Sequence, residues 1–127
     1  MSEVKSYKDL IVWQKGIALG KEIYILCKKL PKEELYGLSD QMRRAAVSIV
    51  SNIAEGKHRS GKNEFAYFLS ISSGSKAELE TLLYLSIEIG YFTEKDVENS
   101  MRLLDEIGKM LYSMTAKLKA ESSKLKP

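Results

Sequence analysis

The run YGLSDQMRRAAVSIVSNIAEG, Tyr36 to Gly56, restricts the fold of this chain more than any other stretch. Leu38, Met42, Ala45, Ala46, Ile49 and Ile53 recur at helical spacing, and Ala45, Ala46, Ser48 and Ser51 supply short side chains. A helix carrying so many small residues lets its neighbours approach closely, as a packed helical bundle requires. Arg43 and Arg44 are adjacent and therefore project in diverging directions, so at least one is expected to leave the core and meet solvent or a partner. The segment reads as a packing and binding helix, with Gly56 as the expected left-handed residue just beyond its end.

The rest of the chain repeats this 3.6-residue period, and strand-type alternation is nearly absent. A first helix is predicted over about Lys8 to Leu30, stopped by Pro31. The second covers Leu38–Gly56, the third about Lys62 to Ile89 with Gly90 beyond it, and the fourth opens at Thr93 with Asp96 as an approximate capping box. Expected core positions in the third are Phe65, Phe68, Leu69, Ser72, Leu79, Leu82 and Ile89. In the fourth they are Val97, Met101, Leu104, Ile107, Leu111, Met114 and Leu118. The polar run SISSGS, Ser70–Ser75, should cross the small face of the second helix at close range. Short connections imply antiparallel neighbours, so the expected fold is all-α, an up-down-up-down four-helix bundle over residues 1–120 with a frayed tail at 121–127.

The first helix carries two adjacent seams. Val12, Gly16, Leu19, Ile23, Leu26 and Leu30 form one; Trp13, Ile17, Gly20, Tyr24 and Cys27 form the other. Together they are wider than a single intramolecular groove needs. Trp13, Ile17 and Tyr24 are therefore expected at an interface between copies of the chain.

Composition narrows the function classes. A chain of 127 residues is one domain, and its net charge of +3 permits nucleic-acid binding without the excess typical of a dedicated basic arm. The lone Cys27 allows no intrachain disulfide and fits a reducing cytoplasm. No stretch approaches the roughly 18 apolar residues of a membrane span.

DLIVWQK (Asp9–Lys15), YGLSDQMRRAAVSIVSNIAEG (Tyr36–Gly56), FLSISSGSKAEL (Phe68–Leu79) and EIGY (Glu88–Tyr91) occur here in a specific order and spacing. In these motifs the chain closely resembles the four-helix-bundle proteins encoded in intervening sequences of bacterial 23S ribosomal RNA genes, often labelled S23 ribosomal proteins. The resemblance implies a homopentameric ring of four-helix protomers. A related bundle is the accessory protein of diversity-generating retroelements, which implies association with a reverse transcriptase and with nucleic acid.

Candidate chemistry is sparse. Glu55 and His58 have the Glu-x-x-His spacing of bundle metal sites, but such a site needs a second copy and more inward glutamates, and His58 is the only histidine. No metal or other cofactor is expected. Asn52, beside Ile49 and Ile53, reads as a structural amide bonding a backbone group or the serine stripe. Cys27 lies on an apolar seam and reads as an inert buried thiol. No nucleophile has a base to pair with, so no catalytic activity is expected.

Cations are the remaining signal. Lys57, His58, Arg59 and Lys62 surround the end of the second helix, where its dipole favours positive charge and where RNA or single-stranded nucleic acid could be held by its phosphates. Arg43 and Arg44 lie ~20 Å away along the helix and form a separate patch. An intersubunit bridge from either arginine to a glutamate is its main competing role. Two functions stay open from sequence: a nucleic-acid-associated accessory protein, and a structural scaffold whose partner is protein.

Overall fold

The computed structural model describes residues 5–124, and among these there are four α-helices and no strand. They are α1 (Ile11–Cys27), α2 (Leu38–His58), α3 (Lys62–Ile89) and α4 (Glu98–Lys124). Counting the two short 3-10 turns, 82% of the described residues are helical. Each helix packs on two others, in the cycle α1–α2–α3–α4–α1, while α1 does not pack on α3 nor α2 on α4. That is a square bundle.

Cross-helix contacts set the directions. Gly16 faces Val50 near one level and the Cys27 thiol donates to the Ser39 carbonyl at another, so α1 and α2 run oppositely. Ser72 donates to the Ile49 carbonyl at 2.8 Å and Gly56 lies against Phe65 and Phe68, so α2 and α3 also oppose. Lys76 reaches Gly108, and Ser122 donates to Asn63 at 2.6 Å, which reverses α4 relative to α3. The bundle is therefore up-down-up-down.

The core is built from one face of each helix. Leu19, Ile23, Met42, Ile49, Ile53, Leu69, Leu79, Leu83, Leu104 and Ile107 are each fully buried. All six residues of the first α1 seam are buried, down to Leu30 beyond the helix end. Packing density, with an apolar stripe on every helix, is what stabilises helices that would be marginal alone.

Several boundaries differ from the sequence expectation, each for a local reason. The first helix does not begin at Lys8. Ser6 and Asp9 make a capping box that closes a 3-10 turn over Tyr7–Asp9, and Leu10 is extended at ψ 126°, so α1 starts at Ile11. It ends at Cys27 instead of Leu30 because Lys28, Lys29 and Leu30 tighten to i→i+3 bonds ahead of Pro31. In the fourth segment the Thr93–Asp96 box is formed, with Thr93 N donating to Asp96 Oδ2 at 2.8 Å and Asp96 N to Thr93 Oγ1 at 3.1 Å. It closes a turn over 94–97, and regular α4 begins at Glu98.

At its other end α4 continues past Ala120 to Lys124, held by the Lys62–Glu121 ion pair at 3.0 Å and the Ser122–Asn63 bond. Residues 121–124 of the expected tail are thus part of α4, and residues 125–127 lie outside the described residues. Gly56 is helical, and the only described glycine with positive φ is Gly90, at 98°. Gly90 closes α3 where the sequence placed its end, and it is Gly90, not Gly56, that takes the left-handed conformation. Of the expected α3 core, Ile89 is instead 51% exposed and Phe65 and Phe68 are half-buried. Leu83 takes the fully buried place one helical face over.

Candidate functional site

Two regions gather the candidate residues. The first is the α2–α3 end. α2 runs on to His58, so Lys57 and His58 sit in its last turn and only Arg59–Gly61 form the connection. The cations here are largely occupied within the chain. Arg59 binds Glu55 at 2.7 Å and approaches Glu64 at 3.7 Å, and its guanidinium lies 5.4 Å from the centre of the Phe68 ring. The Glu55 carboxylate accepts from Arg59 and raises its pKa further above the usual arginine range. Lys62 is bridged to Glu121. Lys57 lies 5.9 Å from the Phe65 ring centre, a cation–π contact with no carboxylate partner among the described residues. Lys57 and the exposed His58 line a shallow cavity of about 280 Å³ with Lys5, Ser6 and Tyr7.

Exposed ion pairs of this kind contribute little to stability, at most about 1 kcal/mol. They do matter for binding, because a cation already facing a carboxylate offers a phosphate less uncompensated charge. Lys57, with Lys5 from the N-terminal segment, is the cation best able to meet an anion there, and the His58 ring stands beside it. Lys5 was not singled out in the sequence, and Phe65 and Phe68 were read there as core positions, not as rings beneath Lys57 and Arg59. The Glu55–Arg59 pairing could have been read from its i, i+4 spacing.

The second region is the outer face where α1 packs on α2. Three contiguous cavities, of about 450, 460 and 320 Å³, run along it, and Tyr24 lines all of them. Ile17, Tyr24 and Val47 are 47%, 48% and 49% exposed and make an apolar stripe across both helices. Close packing produces this groove: Gly16 and Ala46 bring the helices together, and a Cβ at Gly16 would lie only 2.4 Å from Val50 Cγ1. Trp13, expected beside Ile17 and Tyr24, instead packs its partly buried ring edge-on against Tyr7, with centroids 5.3 Å apart.

Arg43 and Arg44 diverge as their adjacency requires. Arg44 points outward and pairs with Asp40 at 2.9 Å. Arg43 is half-buried, borders two of the groove cavities, and has no ion-pair partner among the described residues.

The remaining polar groups are structural. Asn52 Nδ2 donates to Ser48 O at 2.8 Å and to Ser48 Oγ at 3.0 Å; Ser48 Oγ in turn meets Ser75 Oγ of α3 at 2.6 Å. The chain of hydroxyls joins α2 to the serine stripe. Burial pushes the Cys27 thiol above its ordinary pKa, with the Arg43 charge and the Ser39 side chain partly opposing, so the thiol is held protonated and unreactive. Lys15 first, and Arg102 second, hold the Glu106 carboxyl below the usual carboxylate range, which ties α1 to α4 by charge. Among the described residues no group of histidine, cysteine and carboxylates could hold a metal ion, and no helix is long and apolar enough to cross a membrane.

Fold and surface together define a four-helix-bundle protein whose distinctive features are grooves between helices. Residues 8–113 match the family model of 23S rRNA-intervening sequence proteins, and the chain belongs to that family. It is similar to a crystal structure of a protein of unknown function from the S23 ribosomal protein family of Bacteroides thetaiotaomicron. That similarity has 28% identity and a TM-score of 0.77 and covers 83% of this chain and 98% of the other. No protein of curated function matches.

Proposed function

We propose that the protein is a non-enzymatic bundle that works as a homo-oligomer, assembling through the outer α1/α2 face. The observation that carries this reading is the Ile17–Tyr24–Val47 stripe, three large apolar side chains each about half exposed on one continuous groove. Monomers seldom leave such a face to water. Five copies in a ring is the number implied by the resemblance to ring-forming bundles, and a reducing cytoplasm suits the single buried thiol. Against an enzymatic role, the one histidine is exposed at a helix end, far along α2 from Cys27's partner Ser39. Light scattering in dilute buffer should give a mass several times the 14.4 kDa of the chain, five times for the ring. Tyr24→Glu should lower that mass without lowering helical content. A wild-type mass of 14.4 kDa sinks the reading.

Nucleic-acid contact is the second reading, supported by Lys57, which has no carboxylate partner among the described residues, beside His58 and Lys5. In a ring these groups recur once per subunit, so weak contacts add through avidity. RNA retardation should weaken steeply with salt, because phosphate neutralisation releases counterions. Lys57→Glu should reduce binding more than Lys62→Glu, since Lys62 already faces Glu121. Equal effects, or no retardation at low salt, leave the scaffold reading alone. A reverse transcriptase is the protein partner suggested by the retroelement resemblance.

A further inference from the structure

The side of the bundle opposite the α1/α2 groove has a groove of opposite character. Between the end of α3 and the start of α4 lies a cavity of about 470 Å³ whose floor is Ile87, Val97 and Met101. Tyr84, 59% exposed, stands at its edge, and Glu88, Glu94 and Glu98 rim it. None of these three carboxylates has an ion-pair partner among the described residues. On the α1/α2 side the cavity beside Tyr24 is bordered by cations, Lys28, Lys32 and Arg43, none with an ion-pair partner among the described residues. One flank of the molecule is apolar and basic, the other apolar and acidic.

Their placement is what gives this meaning. The two flanks are opposite because α1 and α2 adjoin each other across the square from α3 and α4. They are also at the same height. The Tyr91 hydroxyl, in the α3–α4 turn, donates to Glu34 in the α1–α2 connection at 2.9 Å, so both connections share one end of the bundle. Tyr24, Lys28 and Arg43 lie near that end on α1 and α2, as Glu88 and Glu98 do on α3 and α4.

We propose that the acidic α3/α4 groove receives the basic α1/α2 face of a second copy of this chain, with Tyr24 as the knob and Ile87, Val97 and Met101 as the hole. This rests on the assembly reading above and names the surface it leaves open. Two different patches joined head to tail make a heterologous contact, which closes into a ring when the subunits turn by a constant angle. Complementary patches at equal height favour rotation about an axis along the bundle over a helical climb. Opposite charges fix the register and bar a face from pairing with itself, since like charges would then be opposed. Arg43, without a carboxylate partner among the described residues of its own chain, finds one in its neighbour.

The test is a charge swap read by light scattering and circular dichroism on the full chain at low salt. The basic-face variant, Lys28→Glu with Arg43→Glu, and the acidic-face variant, Glu88→Lys with Glu98→Lys, should each drop the mass toward the 14.4 kDa subunit while helical content is kept. Combining all four substitutions in one chain restores complementarity and should return the wild-type mass. Because Arg43 is half-buried, Lys28→Glu alone serves as a milder probe of the same face and should lower the mass in part. A wild-type oligomer whose mass the acidic-face variant leaves unchanged overturns this inference and leaves assembly to another surface. A four-fold variant as dissociated as its parents also overturns it. A monomeric wild type removes the assembly reading first.

Discussion

Replacing Gly56 by leucine should lower the thermal midpoint by about 10 °C, the loss expected when overpacking costs about 3 kcal/mol in a domain of this size. A Cβ at this position would lie 2.8 Å from Phe68 Cβ and 3.3 Å from the Phe65 carbonyl oxygen. The second of these is backbone and cannot rotate away. α2 and α3 therefore have to separate, and separation loosens the bond from Ser72 to the Ile49 carbonyl one contact further along. Gly74 provides the contrast within the same protein. It is also inside a helix, but a Cβ there meets nothing within 4 Å. Gly74→Ala should stabilise by roughly 0.5–1 kcal/mol, because the unfolded chain loses freedom and helix propensity improves. Thermal melts of the two variants should move in opposite directions. A Gly56→Leu midpoint equal to wild type would show that the α2–α3 crossing has slack the structure does not suggest.

The small-residue crossing was legible in the sequence because size is read directly from residue type. Gly56 and Ser72 fall on it and are buried, while the equally small Ala46 serves the α1 side of the same helix. The role of Gly56 was less legible. A glycine after a run of apolar helical positions signals a C-terminus, but close approach to a neighbouring helix calls for the same residue, and only the position of Phe65 and Phe68 separates the two. Helix ends were misplaced wherever short hydrogen-bonded turns, at Tyr7–Asp9, Lys28–Leu30 and 94–97, continue the helical period without forming α-helix. Periodicity cannot distinguish these turns.

Ile89 was assigned inward because it continues the spacing of Leu82, yet it stands at the last residue of α3, where the bundle no longer covers it. For the surface, the double seam of the first helix carried real information, since Ile17 and Tyr24 do stay exposed. Trp13 belongs to the same seam and differs only because the Tyr7 ring is folded over it. The charge state of the basic loop was not legible at all. Whether Lys62 is free depends on Glu121, a residue near the far end of the chain.

Leu104→Ala should cost about 3 kcal/mol, the middle of the range for deleting a leucine side chain in a packed core. Leu104 has no exposed surface and lies in the core with Val97, Ile107 and Leu111 of its own helix. Removing its three outer carbons leaves a void that rigid helix backbones close only in part. Leu85, 46% exposed on α3, is the matching control. Its truncation to alanine should change the unfolding free energy by less than about 0.5 kcal/mol in the separated chain, as for most surface positions. The pair also separates folding from assembly. Loss of core packing lowers the midpoint at every protein concentration. Loss of an intersubunit contact lowers it only where the oligomer is populated, because assembly stabilises the folded chain by mass action. Urea titrations of both variants at two protein concentrations make the measurement. A Leu104→Ala midpoint that fell at high concentration alone would mean that the four-helix core depends on its neighbours for its stability.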